Sequence, residues 1–356
     1  MSASVPLDQL IPPPTEINDT HKKYDVAIAC IVLTAITTII VVARLGARLY
    51  TKTFGLDDYA TIPSILLYIG WTILAAYVNL SAGVGKPLQE ITVPEFRIWY
   101  QGIAASSWLY PPMSTAIRVS IILFYMRVFT QGHKSTTTYL LRAIFALQAV
   151  YLVVFMILPA FICSPYYYSW DPIHRREHCN DYYYMYTHIT LFAVSLLLDL
   201  ILLAFPIYPV SRLQMSVKSR MGVGAIFGLG AAASIAAAYK FAIFVDEMNR
   251  FVPTDPKWLD HLMSRYIPGQ FDRYGYTFWI PCHLEPTVAL MGASLPALNH
   301  FFRQVWRPTR LFSTKGSSGN PLNSGSERKG MSSGRSDKFR RIHNNNESQV
   351  ELSQID

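Results

Sequence analysis

The sequence predicts an all-α, polytopic membrane bundle of seven transmembrane helices, with its N-terminus outside and its C-terminus in the cytosol. Three observations predict it. Of the 356 residues, 51% are apolar and only 15% charged, against roughly 25% charged in a soluble domain. Seven apolar runs reach the roughly 20 residues a helix needs to cross about 30 Å of hydrocarbon. The lysines and arginines fall unevenly on the two sets of connections between those runs.

The runs are approximately 25–43, 59–80, 103–126, 138–162, 186–208, 221–245 and 277–300. Inside lipid the backbone must satisfy its own hydrogen bonds, so each run is expected to be a helix. Residues 1–24 are polar and proline-bearing (IPPPTEINDTHKK) and lack an apolar h-region. No cleavable signal peptide is therefore expected, and the first run targets the chain to the membrane. The second run opens on GLDDY, where Asp57 and Asp58 suit the free N–H groups and positive dipole end of a helix start. Metal binding by that pair is the weaker alternative. The third run carries Arg118 and Pro111–Pro112, and the seventh carries His283 and Glu285. In the fifth, LLLDLILLAFPIYP, Pro206 frees a backbone carbonyl and can kink the helix. The sixth reads MGVGAIFGLGAAASIAAAYKFAIF. Its small residues, with Gly224 and Gly228 one turn apart and Ala231 to Ala238 beyond, let neighbours approach closely and put it centrally in the bundle.

The expected organisation is an extracytosolic segment 1–24, a seven-helix domain 25–305 and a basic cytosolic tail 306–356. From about residue 313 the tail is Ser, Gly, Asn, Lys and Arg, too poor in apolar surface to order itself. Ten of the 31 Lys and Arg lie between Arg303 and Arg341. Nine more follow the first, third and fifth runs: Arg44, Arg48, Lys52, Arg127, Lys134, Arg142, Arg212, Lys218 and Arg220. The other side holds ten, and that asymmetry places the N-terminus outside. The net charge of +8 then reads as attraction to an anionic leaflet and not to nucleic acid, for which no reading motif is present.

Aromatic residues crowd the expected outer boundary, at Tyr166–Tyr168, Trp170, Tyr182–Tyr184, Tyr186, Tyr274, Tyr276, Phe278 and Trp279, as amphipathic rings do at the headgroup level. Cys163 and Cys179 flank one loop on that side, where disulfides persist. A bridge between them is expected, with two free thiols the alternative. Cys30 and Cys282 fall within runs and read as packing residues. Asn18-Asp19-Thr20 fits a glycosylation sequon, although it lies close to the first run.

Ionisable residues within the runs are the sharpest signal, because they cost several kcal/mol unless paired or hydrated. The four are Arg118, Asp199, Lys240 and Glu285. From the helical rise, Arg118 and Asp199 both lie roughly 20 Å below the outer boundary, and Lys240 and Glu285 roughly 10 Å below it. Two buried pairs are expected, Arg118 with Asp199 and Lys240 with Glu285. Such pairs can merely fix helix order, or they can serve ligand binding or switching. His188 and His283 are weaker ligand candidates, since a lone membrane histidine is more often hydrogen-bonded to a neighbouring helix.

Several segments together resemble a known family. GLDDY before the second run, SIILFYMRVF ending the third, CSPYYYSWD…C in the outer loop, and LLLDLILLAFPIYPVSRLQMSVKSRMGVGAIFGLG across the fifth and sixth are similar to the fungal rhodopsin-domain proteins. These include membrane proteins of satratoxin-type gene clusters. The resemblance covers approximately residues 25–305 and implies a fungal seven-helix membrane protein, receptor-like in some relatives and beside secondary-metabolite genes in others. It carries over to Asp57, Asp58, Cys163, Trp170, Cys179, Asp199 and Glu285, with basic residues at Arg118 and Lys240. It does not imply photochemistry. The seventh run lacks the lysine with which opsins hold retinal, and Lys240 is the only lysine within the runs. No retinal, metal or other cofactor is expected.

Two function classes remain. One is a receptor-like sensor that binds a small molecule in the bundle and reports to a cytosolic signalling partner through loops and tail. The other is a membrane-embedded enzyme or accessory protein of secondary metabolism, in which Asp199 and Glu285 would act as general acids. No nucleotide loop, HExxH or nucleophile elbow is present, and no internal repeat suggests a transporter. The bilayer is the expected partner in either case, in the plasma membrane or the endoplasmic reticulum.

Overall fold

The structure is a computed structural model. It describes residues 15–84, 86, 90–129, 136–171, 174–206, 217–250 and 278–305, all within one compact unit spanning Met1–Pro308. The tail lies outside the described residues. Seven long helices run through them: α1 (Asp25–Tyr50), α2 (Leu56–Ser81), α3 (Val93–Phe129), α4 (Thr136–Ile157), α5 (Asp181–Ala204), α6 (Val217–Arg250) and α7 (Ile280–Val305). Among the described residues there is no strand, only an isolated bridge between Cys163 and Cys179.

Local chemistry sets the ends. α3 starts on a capping box that the sequence reading passed over. Glu95 Oε2 accepts from the Thr92 N–H at 3.0 Å and its hydroxyl at 2.9 Å, while Thr92 Oγ1 accepts from the Glu95 N–H at 3.5 Å. This box starts the helix ten residues before the expected run and gives it 37 residues, about 55 Å at the α-helical rise. α4 stops short of its expected end. Its last turn tightens into a 3₁₀ helix at Leu158–Phe161, where Pro159 has no N–H to continue the ladder. α5 is capped by Asn180, whose side chain accepts from the Tyr183 N–H at 3.0 Å.

α1 packs on α2 and α7, α2 on α3, α3 on α5, α5 on α6, and α6 on α7. Six helices thus close a ring. α4 docks on the outside of it against α3, and α3 also reaches across to α7. At the α2–α3 contact Gly102 leaves room that a side chain would not have, because an added Cβ would lie 2.2 Å from a Val78 methyl. The outward faces of α1 and α4 stay apolar, with Ile28, Ile39 and Val42 on one and Phe145, Val150 and Val153 on the other exposed, as a lipid-facing surface requires.

Among the described residues five helices are long and apolar enough to cross a membrane: α1, α2, α4 with its final turn, α5 and α6. α3 and α7 carry the polar groups described below, which lowers their hydropathy while burying those groups inside the bundle.

The connection from α4 to α5 folds back on itself. Cys163 and Cys179 form a disulfide. Ser164 N donates to the His178 carbonyl at 2.9 Å and Asn180 N to that of Ile162 at 2.9 Å. Inside the loop Arg175 donates to the Ser169 carbonyl at 2.7 Å and stacks over Tyr100 of α3 at 4.6 Å. Cys30 and Cys282 are buried, as expected of packing residues. Replacing Cys163 or Cys179 with Ser should lower stability by about 3 kcal/mol, the chain-entropy value for a loop of roughly 15 residues. Thermal unfolding of the solubilised protein, with and without reductant, measures it. An unchanged midpoint would mean that the bridge constrains nothing.

Candidate functional site

Arg118 lies in the second half of α3 and is 2% exposed. Its Nε donates to Asp199 Oδ1 of α5 at 2.8 Å and its Nη2 to Oδ2 at 3.2 Å. Nη2 also donates to the Ser195 carbonyl at 3.2 Å and to the Ser195 hydroxyl. One edge of the guanidinium fork is thereby matched to one turn of α5, the planar recognition that arginine supplies and lysine does not.

Lys240 of α6 donates to Glu285 of α7 and to the Tyr110 oxygen. Its ammonium lies 4.4 Å from the Tyr110 ring centroid and 4.5 Å from that of Phe192. The two pairs are not separate. Glu285 Oε1 is 3.8 Å from Arg118 Nη2, and the Tyr110 hydroxyl donates to the Glu285 carboxylate at 3.0 and 3.1 Å and lies 3.2 Å from Ser195 Oγ. Four side chains with two charges of each sign therefore form one neutral network that ties α3, α5, α6 and α7 together.

An aromatic circuit adjoins the network at Tyr110 and Phe192. It runs from Trp71 to Trp279 (5.3 Å between ring centroids), Phe278 (5.0 Å), Phe244 (5.7 Å), Phe192 (4.6 Å) and Tyr110 (5.5 Å), then back to Trp71 (5.8 Å). The rings come from α2, α3, α5 and α6 and from the start of α7. Trp71 and Trp279 are fully buried, and their indole N–H groups have no hydrogen-bond partner among the described residues. Sequence reading took Phe278 and Trp279 for interfacial anchors and did not single out Trp71, Phe192 or Phe244. No short-range signal separates a core aromatic from a headgroup one.

His188 and His283 flank this circuit and make hydrogen bonds between helices. His188 Nδ1 donates to the Tyr184 carbonyl at 3.0 Å, and its Nε2 lies 3.0 Å from Ser107 Oγ of α3. His283 Nδ1 donates to the Trp279 carbonyl at 2.9 Å, and its Nε2 lies 3.3 Å from Thr72 Oγ1 of α2. Each histidine thus bonds its own helix through Nδ1 and a neighbouring helix through Nε2.

A second charge cluster closes the end of the bundle near Gly55, and the sequence reading missed it. Arg44, expected as a loop charge, is fully buried because α1 continues through it to Tyr50. It donates to Asp58 at 3.1 Å, Asp57 at 2.9 Å and the Ala293 carbonyl of α7 at 2.7 Å. Arg127, near the end of α3, donates to Asp57 at 2.9 Å and to the Thr53 carbonyl at 2.7 Å. Capping is thus the smaller role of the aspartates. Asp58 does accept the Gly55 N–H at 3.1 Å, whereas Asp57 turns into the bundle to face two arginines. A Cβ at Gly55 would sit 2.7 Å from both Arg127 Nη1 and Asp57 Oδ1 and would push these side-chain ends aside.

At the opposite end Lys86, also fully buried, donates to Glu95 at 2.7 Å and pairs with Asp19 at 2.6 Å. This strap holds the segment before α1 against the α2–α3 connection. The hydrogen bond from Lys86 holds the Asp19 carboxyl below its ordinary value. Burial pushes the Lys86 ammonium down, but its bonds to Asp19 and Glu95 outweigh that and leave it above its ordinary value. Asp19 therefore contributes above the ordinary carboxyl range and loses its share as pH falls through its lowered value. Lys86 contributes below the ordinary lysine range and loses its share as pH rises through its raised value. The strap is intact across neutral pH. Asn18 is exposed, and its side chain accepts from the Thr20 N–H at 3.0 Å. Among the described residues no cluster of three or more His, Cys, Asp or Glu could hold a metal ion.

A helical, multi-pass integral membrane protein with a charge network buried among its helices is the class that fold and site define. The sequence pattern of the fungal rhodopsin domain matches residues 43–304, so the chain belongs to that family. A protein named SAT4 family membrane protein from Emericella nidulans is 26% identical over 262 residues, covering 72% of this chain and 61% of that protein. Fugralins biosynthesis cluster protein 2 from Gibberella zeae is 27% identical over 271 residues, covering 68% and 62%. The chain thus spans about three-fifths of the length of these curated relatives. No solved structure matches it significantly.

Two predictions follow from the charge clusters. Arg118→Asp should abolish recovery of folded protein, because removing one partner of a buried pair costs about 3–5 kcal/mol. The exchange Arg118→Asp with Asp199→Arg should restore part of it, as read by the monodisperse peak in size-exclusion chromatography. No rescue would mean that the two do not act as a pair. Arg44→Lys should destabilise nearly as much as Arg44→Ala in thermal unfolding, since an ammonium cannot span three acceptors on two helices as the guanidinium fork does. Wild-type stability for Arg44→Lys would contradict this.

Proposed function

We propose that the chain is a receptor-like sensor spanning the membrane seven times, its N-terminus outside, and that a small apolar molecule binds at the aromatic circuit without retinal. One observation carries the reading. Glu285 lies between two cations, bonded to Lys240 and 3.8 Å from Arg118, next to rings from five helices. A carboxylate with two partners in reach has two pairings close in energy. A ligand that prefers one of them would bias the relative positions of α3, α6 and α7. The two unpaired indole N–H groups favour a ligand with hydrogen-bond-accepting oxygens in an otherwise apolar frame. The Lys/Arg asymmetry supports the orientation, and the basic tail and adjoining loops are the proposed contact for a cytosolic signalling partner. Either the plasma membrane or the endoplasmic reticulum fits.

A second reading is favoured by the relative named as a biosynthesis cluster protein. In it the chain is an enzyme or accessory of a secondary-metabolite pathway, and Asp199 and Glu285 are its acids. Metabolite and transcript profiling of a strain lacking the gene, complemented with wild type or Asp199→Asn, separates the two. The sensor reading expects transcript changes of severalfold across many genes with no accumulated intermediate, and a shifted set-point with Asp199→Asn. Accumulation of one intermediate with neighbouring transcripts unchanged would overturn it in favour of the second reading.

A further inference from the structure

The face that α4 turns to α3 is the stripe Leu141, Ile144, Gln148, Tyr151 and Phe155, all buried and spaced three and four apart as one side of a helix requires. Its ends are apolar. Leu141 and Ile144 pack with Ile122 and Tyr125, and Phe155 joins the main core. Its middle is not. The Tyr151 hydroxyl lies 3.4 Å from Ser114 Oγ, and its ring centroid lies 5.4 Å from Arg118 Cζ. Gln148 is one turn from both Ile144 and Tyr151, which sets it at the level of Arg118 on α3.

Four polar atoms in this stretch have no hydrogen-bond partner among the described residues: Gln148 Oε1 and Nε2, Thr115 Oγ1 and Arg118 Nη1. Gln148 is 1% exposed and Arg118 2%. An unmatched polar atom in hydrocarbon costs several kcal/mol, and native proteins leave few. Four on two facing helices, two of them on the one buried amide of Gln148, mark a place built for a guest.

The donors and acceptors define that guest. The guanidinium disfavours a cation. The buried charges already sum to zero, so an anion would add an uncompensated charge to a low-dielectric interior. Three of the atoms can donate, and Gln148 Oε1 and Thr115 Oγ1 can accept. We infer that the α3–α4 seam is a binding site for a neutral hydroxyl oxygen, which both accepts and donates. Bound water and the hydroxyl of an organic ligand share this chemistry. The inference rests on these four atoms and is independent of the sensor reading, which concerns the aromatic circuit on the other side of Arg118.

The test uses the full chain in lipid nanodiscs, as wild type, Gln148→Leu and Thr115→Val. Radiolytic hydroxyl labelling reports water held beside a buried side chain, and Tyr151, 3% exposed, is the reporter. Mass spectrometry of a solvent extract of the same nanodiscs reports an organic alcohol. Labelling of Tyr151 in the wild type, reduced about fivefold or more in the variants, identifies water. An extracted alcohol, stoichiometric in the wild type and absent from the variants, identifies an organic hydroxyl. An unlabelled Tyr151 together with an empty extract overturns the inference, as do variants that label and extract as wild type does. Thr115→Val is nearly isosteric and keeps the comparison if Gln148→Leu does not fold. If neither variant folds, the wild-type measurements decide.

Discussion

A charge in hydrocarbon must be neutralised where it stands, and that constraint orders this bundle. Arg118 is buried within the second half of α3, so α5 must present Asp199 and Ser195 at its level. Lys240 imposes the same demand on α7 through Glu285. Because Tyr110 and Glu285 link the two pairs, the depths of four helices are set together. Buried ion pairs often add little net stability over an apolar packing of the same volume. Their effect is on specificity. A helix slid by one turn, about 5.4 Å, would strand a charge, whereas a purely apolar interface would tolerate the slip at small cost.

α3 is the helix on which these demands converge. It touches α2, α4, α5 and α7 and carries Tyr110 and Arg118, which engage α5 and α7, and Arg127, which engages α2. Its burial explains its composition. A helix surrounded by protein can carry Ser106, Ser107, Ser114 and Ser120, all buried, because each hydroxyl finds a carbonyl or a neighbouring side chain. A lipid-facing helix such as α4 has that freedom only on the side turned inward, and Gln148 lies on that side.

Hydropathy made α1, α2, α4, α5 and α6 legible, because those helices have faces that meet lipid. The ionisable residues of the core network were legible for the complementary reason, since a charge deep in an apolar run stands out. What was not legible lay near run ends. Arg44 and Arg127 read as loop charges because windows of hydropathy end where the first charged residue appears, whereas the helices continue. Lys86 was invisible for a different reason. Its partners Asp19 and Glu95 belong to segments far apart in sequence, and no periodicity connects them. Thr92 and Glu95 did carry a local signal, the spacing of a capping box, and it accounts for the extra turns of α3. Gln148 carried only its position on the buried stripe of α4, which becomes meaningful once the helix facing it is known.

The motifs by which the chain resembles its family are contacts. GLDDY supplies Gly55, Asp57 and Asp58, SIILFYMRVF supplies Arg127, and the two meet because Asp57 accepts from Arg127 close against Gly55. LLLDL supplies Asp199 to Arg118 in the same way. The cations in these two contacts are arginines, whose forks hold several acceptors at fixed angles. The sixth helix instead places a lysine beside Tyr110, Phe192 and Glu285. An ammonium is a compact charge on a flexible stem, with no preferred plane, so it can follow Glu285 through small displacements that would break an arginine fork. The arginine contacts therefore anchor α1, α2, α3 and α5, and the Lys240–Glu285 contact is the one best able to rearrange without leaving a charge unpaired.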